Sequence, residues 1–449
     1  MSSERHSPLI WIPPLCVAEE IPTAVVTFVS LLMFLQFGVD YVWASCLNAL
    51  LLLPSVLKSY MRSKLAKAGH FKRHIHQTEL LLFCVLMTIA LCLKYRGFSV
   101  WTVFGLLFLV AWLCAIHDLL GQMYYNRMLY PLQQKFYRQT KIFASQATLV
   151  VTYGVLIIFA GFLEIFFRSV RTAWAMESYL VAGAFLVFAV INILTMQNPR
   201  VYNPYRYESL LGAFRHELRI VERIRRKPFV VQTVAVYALM LLPQSLLFNT
   251  RVFFLLADVT EGGLGCSIQE VGFAQGTVGV IAFSAGLFAG RMLYRTRRGI
   301  WPFVVPLTLS PVFYLLMSLH PLRGNMTALC CMTFLTQLCF GFGLNICLPI
   351  VQYISGERYR NTIDYLHIPL TALVMLLPMF LSGWLADRLG FRDFFIFTTC
   401  TAPASWIALW QSRLPRLFSR TETSSTYSPQ TAWNSSPSSC NKQTQTTQI

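Results

Sequence analysis

Four ionisable residues stand inside stretches that are otherwise almost wholly apolar: Glu19 and Glu20 between Leu9 and Gln36, and His117 with Asp118 between Val100 and Tyr124. An ionised carboxylate in hydrocarbon costs at least ~2.5 kcal/mol, so it persists only where it faces a wet cavity or a partner. The adjacent imidazole titrates near neutral pH. Together these groups suit proton uptake and release, or an ion pathway. Glu19 lies ~10 residues past the start of its stretch and Asp118 ~7 residues before the end of its own. At about 1.5 Å per helical residue, both sit ~10–15 Å from the same membrane surface. Neighbouring helix positions point about 100° apart, so His117 and Asp118 do not both face one cavity. Two readings are open. In one, Glu19 or Asp118 loads a proton on one side and releases it on the other. In the other, Glu19 is fixed to an inner-loop arginine and Asp118 to a lysine. Glu20 is expected to point away from the path.

The second half of the chain offers amides and one cation. Gln244 follows Pro243, with Asn249 and Arg251 beyond it; Gln337 and Asn345 lie in a later apolar stretch. A proline frees a backbone carbonyl, which is tolerated where that group meets a cavity. Such amides either hydrogen-bond a solute or join neighbouring helices. Arg251 is placed to meet an anionic solute, or else to snorkel to the outer headgroups. No HExxH, GxSxG or Gly-Lys-Ser/Thr phosphate loop occurs, so no enzyme class is indicated. No cofactor or metal is expected.

The elements that must position these residues follow from composition. Charged residues make up 12% and hydrophobic ones 55% of the 449. Soluble domains average about 25% charged, so lipid is the implied solvent. Since about 20 apolar residues span the core of a bilayer, twelve candidate helices are read at roughly 9–36, 41–58, 78–94, 100–124, 143–167, 173–196, 229–256, 271–293, 300–319, 326–353, 364–386 and 393–411. With both termini on one side, roughly four-fifths of the Lys and Arg residues fall in connections on that side, the positive-inside pattern. The net charge of +18 is then a topology and anionic-lipid signal, and no motif suggests nucleic acid as a partner. Most of the twelve cysteines lie in apolar stretches, no CxxC occurs, and Cys266 and Cys440 stand apart, so no disulfide framework is implied. The first stretch, interrupted by two acids, does not read as a cleavable signal.

The chain divides in the middle. A six-helix half (1–196) and a second (229–412) flank a basic connection, 197–228, in which Leu210, Phe214, Leu218 and Val221 fall at helical spacing. That segment is expected to lie on the inner leaflet. The polar tail, 413–449, cannot build a core and is expected to be disordered. The fold class is therefore all-α integral membrane, with twelve transmembrane helices in two halves, the layout of secondary transporters. Gly272 and Gly276, like Gly286 and Gly290, are spaced four apart, which lets helices approach closely. Ser267 and Glu270 read as a capping box.

Several motifs in order resemble a known family. Trp11 to Met33, with Ala18-Glu19-Glu20-Ile21-Pro22, is similar to the opening helix of muropeptide-permease-like transporters of the major facilitator superfamily, chiefly Bacteroidetes forms. The runs AIHDLLGQMYY (115–125), 262–290, CFGFGL (339–344) and SGWLADRLGFRDFF (382–395) also match. The resemblance covers roughly 9 to 411. It implies a major facilitator fold with alternating access and proton-driven import of a sugar-peptide or similar small solute. The chain is expected to be a monomer of the inner membrane, with both termini cytoplasmic as the positive-inside pattern indicates. It carries over Glu19, His117 and Asp118. Gln122, Gln244 and Thr336 stand where the family has acids, which leaves a facilitator without proton coupling, or a non-transporting sensor, as alternatives. The run Gly383 to Arg392 fits the superfamily's Gly-x-x-x-Asp-Arg-x-Gly pattern, which normally lies on an inner loop, whereas the helix count places it outside.

Overall fold

A computed structural model describes residues 7–58, 61, 70–95, 99–198, 215, 219, 222–227, 229–296, 299–319, 325–355, 360–412 and 414–415. Helices form wherever the apolar stretches were read, because a chain in lipid must satisfy every backbone group internally. They are α1 Pro8–Gln36, α2 Tyr41–Lys58, α3 Phe71–Lys94, α4 Val100–Met128, α5 Pro131–Phe167, α6 Val170–Thr195, α7 Val230–Leu256, α8 Ile268–Tyr294, α9 Trp301–Leu319, α10 Met326–Ile354, α11 Arg360–Leu389 and α12 Phe391–Gln411. Eleven are long and apolar enough to span a membrane; α12, at 21 residues, is long enough but falls outside that set.

Two helices start earlier than the hydropathy pattern indicated. α3 begins at Phe71 rather than 78, and α5 at Pro131 rather than 143. Hydropathy marks the lipid-immersed part only; Lys72, Arg73 and His74, or Gln133 to Lys141, continue the helix past it. α5 opens on Pro131 at its first turn, with Gln133 accepting from the Tyr130 amide. Ser267 and Glu270 form the capping box of α8: the Ser267 hydroxyl accepts from the Glu270 amide, and Glu270 accepts from the Ser267 amide at 2.7 Å. The amphipathic positions Leu210, Phe214, Leu218 and Val221, and the tail beyond 415, lie outside the described residues.

The ends of the helices sort onto two faces. On one, the basic face, Trp11 stacks edge-on against Tyr124, Lys72 donates to the Met196 carbonyl, and the Tyr124 hydroxyl donates to the Gln197 carbonyl. On the opposite face, Gln36 donates to Glu164, Trp174 donates to Gln36, and Tyr41 donates to Glu261 and stacks on Phe253. Gly383, at the end of α11, packs on the Tyr41 carbonyl and the Ser45 hydroxyl. The run Gly383 to Gly390 therefore sits on the face opposite the first helix's start, as the helix count had it.

The apolar core is asymmetric between these faces. Toward the opposite face a single cluster joins both halves, taking in Phe34, Leu47 and Val110 with Phe253, Val271 and Phe395. Toward the basic face the core is split. One cluster holds Trp11, Phe71 and Leu120 of the first half; another holds Tyr237, Phe303 and Ile350 of the second. Contacts between the halves run chiefly through α2 against α11 and α5 against α8. Hydrogen bonds that join the halves include Tyr41–Glu261, Ser45 and Cys46 to the Phe380 carbonyl, Asn48–Asn249 and Ser284–Gln146. In keeping with the split core, Thr148 is the only buried residue of Pro131–Val150.

Candidate functional site

Three widened, π-helical turns meet at mid-depth: Val25–Val29 in α1, Val151–Val155 in α5 and Gly272–Val278 in α8. Such turns cost hydrogen-bond geometry and are retained mostly at functional sites. Each gives one side chain, Phe28, Tyr153 and Gln275 respectively, to a cavity of about 190 Å³ between the halves. Phe248 and Arg251 of α7, Phe283 of α8, and Gln337 and Phe340 of α10 complete most of its wall. The α5 and α8 turns touch because Gly276 lies directly on the Tyr153 carbonyl, leaving no room for a Cβ. Tyr153 shares a 2.6 Å hydrogen bond with Thr27. Gln337 donates to Gln275 at 3.4 Å, and Gln275 donates to the Tyr314 hydroxyl at 2.9 Å.

Arg251 sits near the opposite-face end of α7, but its side chain does not reach outward. Helical side chains lean toward the helix N-terminus, which for α7 is the basic face. The guanidinium therefore lies back over the Phe248 ring, 5.1 Å from its centroid, and lines the cavity. Its Nε is buried with no hydrogen-bond partner.

A second cluster lies toward the basic face. Glu19 and Lys141 of α5 form an ion pair at 3.5 Å, and Asp118 pairs with Lys58 at the end of α2. Gln122, one turn on from Asp118, donates to its other oxygen at 3.0 Å. Glu19 is placed near enough to feel Lys141, Asp118, His117 and Lys58 electrostatically, so the two acids belong to one charge network. Gly121 of α4 makes the space: a Cβ there would collide with the Glu19 carboxylate. The partner of Glu19 is thus a lysine within a helix rather than an inner-loop arginine. The reason is the early start of α5, which brings Lys141 alongside α1. Glu20 shares an α1 face with Thr23 and Thr27 and has Ser145 of α5, a polar group of a neighbouring helix, within hydrogen-bond reach.

The remaining candidates fall elsewhere. His117 is 1% exposed and faces α3, where its Nε2 lies 3.4 Å from Glu79. Glu79 also meets His76 at 3.1 Å and accepts from Asn192 at 2.6 Å, closing a buried polar knot of α3, α4 and α6. Gln244 donates to the Leu307 carbonyl and to Ser310, tying α7 to α9 beside Pro243. Asn345 donates to the Leu287 carbonyl at 3.2 Å and packs against Gly290, tying α10 to α8. Of the eight residues singled out, Glu19, Asp118 and Gln122 share the charge network, Arg251 and Gln337 share the cavity, and His117, Gln244 and Asn345 hold helices together.

Sequence reasoning missed Lys58, Lys141, Glu79, Tyr153 and Gln275. Lys58, Lys141 and Glu79 lie at the rims of apolar stretches, where charges are ordinary. Tyr153 and Gln275 look like common interior residues until the widened turns aim them inward. No group of three or more His, Cys, Asp or Glu side chains suited to a metal gathers among the described residues.

No protein-family model matches the chain, and no curated protein sequence does. Solved structures do. A bacterial homologue of the human lysosomal transporter Spinster, in an inward-facing unoccupied conformation, superposes with a TM-score of 0.64 at 16% identity, over 91% of this chain and 96% of that one. A nucleoside transporter superposes with a TM-score of 0.67 at 13% identity, over 90% and 99%. The inward-open xylose transporter of E. coli gives a TM-score of 0.60 at 11% identity, over 89% and 94%. The chain has the major facilitator fold, all-helical among the described residues, with two six-helix halves.

Proposed function

We propose that this chain is a secondary transporter that moves a small solute across the inner (cytoplasmic) membrane by alternating access. It works as a monomer. Halves 1–196 and 229–412 rock about the central cavity, with the connection 197–228 and the tail 413–449 on the cytoplasmic side. One observation carries the reading: a cavity lined by both halves, with a joined core beyond it and a split core before it. A carrier needs this asymmetry in each of its end states, since the solute must reach its site from one side only. With the basic face in the cytoplasm, as the positive-inside pattern has it, the state described opens inward.

Coupling is assigned to the charge network. Protonation of Glu19 would release Lys141, and protonation of Asp118 would release Lys58, so a proton changes the ion pairing of the first half. A ligand or proton drives a conformational change only through differential affinity for the two states, and these pairs supply it. A second reading has one observation in its favour. Both acids already hold lysine partners, as they would in a facilitator without proton coupling. The muropeptide class suggested by the resemblance would need the cavity to extend toward the basic face, because drug-sized ligands occupy about 300–1,000 Å³.

The test begins with a thermal-shift screen of purified protein against anhydro-muropeptides, sugars, peptides and nucleosides. Uptake of the hits into proteoliposomes then follows, with and without an inward proton gradient. Gradient-driven accumulation lost in E19Q and D118N, with solute exchange kept, supports coupling. Accumulation undiminished in both variants removes these acids from the mechanism. Binding without any exchange would leave a receptor, not a carrier.

A further inference from the structure

We infer that the central cavity selects an anionic solute, one with a single carboxylate, phosphate or sulfonate on a compact apolar or aromatic body, through Arg251. The inference rests on the transporter reading and names the substrate class of the same cavity.

The argument starts from an unbalanced charge. A cation taken out of water is costly unless paired and hydrogen-bonded. The two acids of the basic-face cluster each have a lysine partner, Glu19 with Lys141 and Asp118 with Lys58. Arg251 has none: among the described residues no carboxylate lies within 4.0 Å of it, and its Nε is enclosed without an acceptor. What it does have is an aromatic face, Phe248, and an opening into the cavity. Among the described residues Glu20 forms no ion pair with Arg251; the neighbour of Glu20 is Ser145 of α5. The planar guanidinium presents a fork of donors matched to two oxygens of one anionic group.

The rest of the wall defines the body of the solute. Phe28, Phe248, Phe283 and Phe340 give apolar surfaces, and the Gln275 and Gln337 amides give hydrogen-bonding edges. The volume, about 190 Å³, is of the order that admits one ring with an anionic substituent; an apolar cavity of roughly 150 Å³ accepts benzene. The geometry also explains the location. Arg251 belongs to one half and Tyr153 to the other, so an anion bridging them would be held by both halves at once and released when they part.

The full-length protein in lipid nanodiscs provides the test, with matched probes differing in charge alone: phenylacetate against phenylacetamide, phenyl phosphate against phenol, and benzenesulfonate against benzenesulfonamide. The anionic member of at least one pair should bind at least tenfold more tightly by calorimetry, and the pair that responds identifies the anionic group. R251Q should abolish that preference, and R251K should retain part of it. Equal responses to charged and neutral members, including none to either, overturn the inference, as does an R251Q protein that keeps the preference. The wild-type comparison needs no variant to fold. Anion binding without exchange in proteoliposomes would sink transport but leave the anion site standing. Exchange of neutral solutes unaffected by R251Q would do the reverse.

Discussion

The crossing of α5 and α8 is the sharpest lever on the conformational equilibrium. Gly276 presses on the Tyr153 carbonyl, and Gly272 on Ile157 and Ile158, so the two halves touch backbone to backbone. Gly276→Leu puts a side chain where an oxygen already stands. Overpacking of this kind costs about 1–3 kcal/mol. Only the state with this crossing closed bears the cost, so the ratio of closed to open should fall by about 5- to 150-fold. Gly286→Ala is the control. Gly286 packs on Leu338 of α10 within one half, so its cost burdens both states alike. The readout is the distance between spin labels at the exposed positions Asp40 and Thr260, one on each half at the opposite face, in a cysteine-depleted protein. G276L should move the distribution to longer distances, and G286A should not. An unchanged distribution in a G276L protein with wild-type thermal stability would show that this crossing does not hold the opposite face shut.

Three further expectations follow from the packing. Lys58 is only 2% exposed, so Asp118→Asn leaves a buried lysine without its partner, at a cost of about 3–5 kcal/mol; Lys58→Met in the same protein should recover most of the lost thermal stability, and failure to recover would mean that the pair does not exist in the membrane. Glu79→Ala strands His117 and Asn192 in the α3–α4–α6 knot and should cost about 1–3 kcal/mol, with Glu79→Gln costing less; equal midpoints for the two in thermal unfolding would refute a hydrogen-bonding role. On the basic connection, Arg225 and Arg226 hold the Glu222 carboxyl down to about 2 from its ordinary 4.5. A carboxyl with a lowered folded-state value stabilises above its unfolded value and loses that contribution as pH falls through about 2. Carboxyl NMR should show Glu222 still ionised at pH 3, and R225A with R226A should return it toward the ordinary range.

How much was readable in advance can be judged residue by residue. Glu19 and Asp118 announce themselves because lipid makes a lone carboxylate conspicuous, and the same cost makes them legible from composition and depth alone. Their partners were not legible. Lys58 and Lys141 stand at the ends of hydropathic stretches, where a lysine is unremarkable, and only the early start of α5 carries Lys141 to Glu19. Gln244 and Asn345 show the converse. Both were open to two readings, a solute ligand or an interhelical bond, and each bonds a carbonyl of a neighbouring helix, because an amide in an apolar environment takes whichever partner packing brings nearest.

The sequence by itself determined the number of spans, their order and the clustering of cations on one face, because these depend on hydrophobicity and charge summed along the chain. Tertiary structure decided which face of each helix looks inward. The three widened turns rotate Phe28, Tyr153 and Gln275 into one cavity, and the lean of an α7 side chain toward its helix start brings Arg251 to meet them. Helical phase and the choice of neighbour are set by close packing between distant segments, and a pattern read along one strand of sequence carries neither.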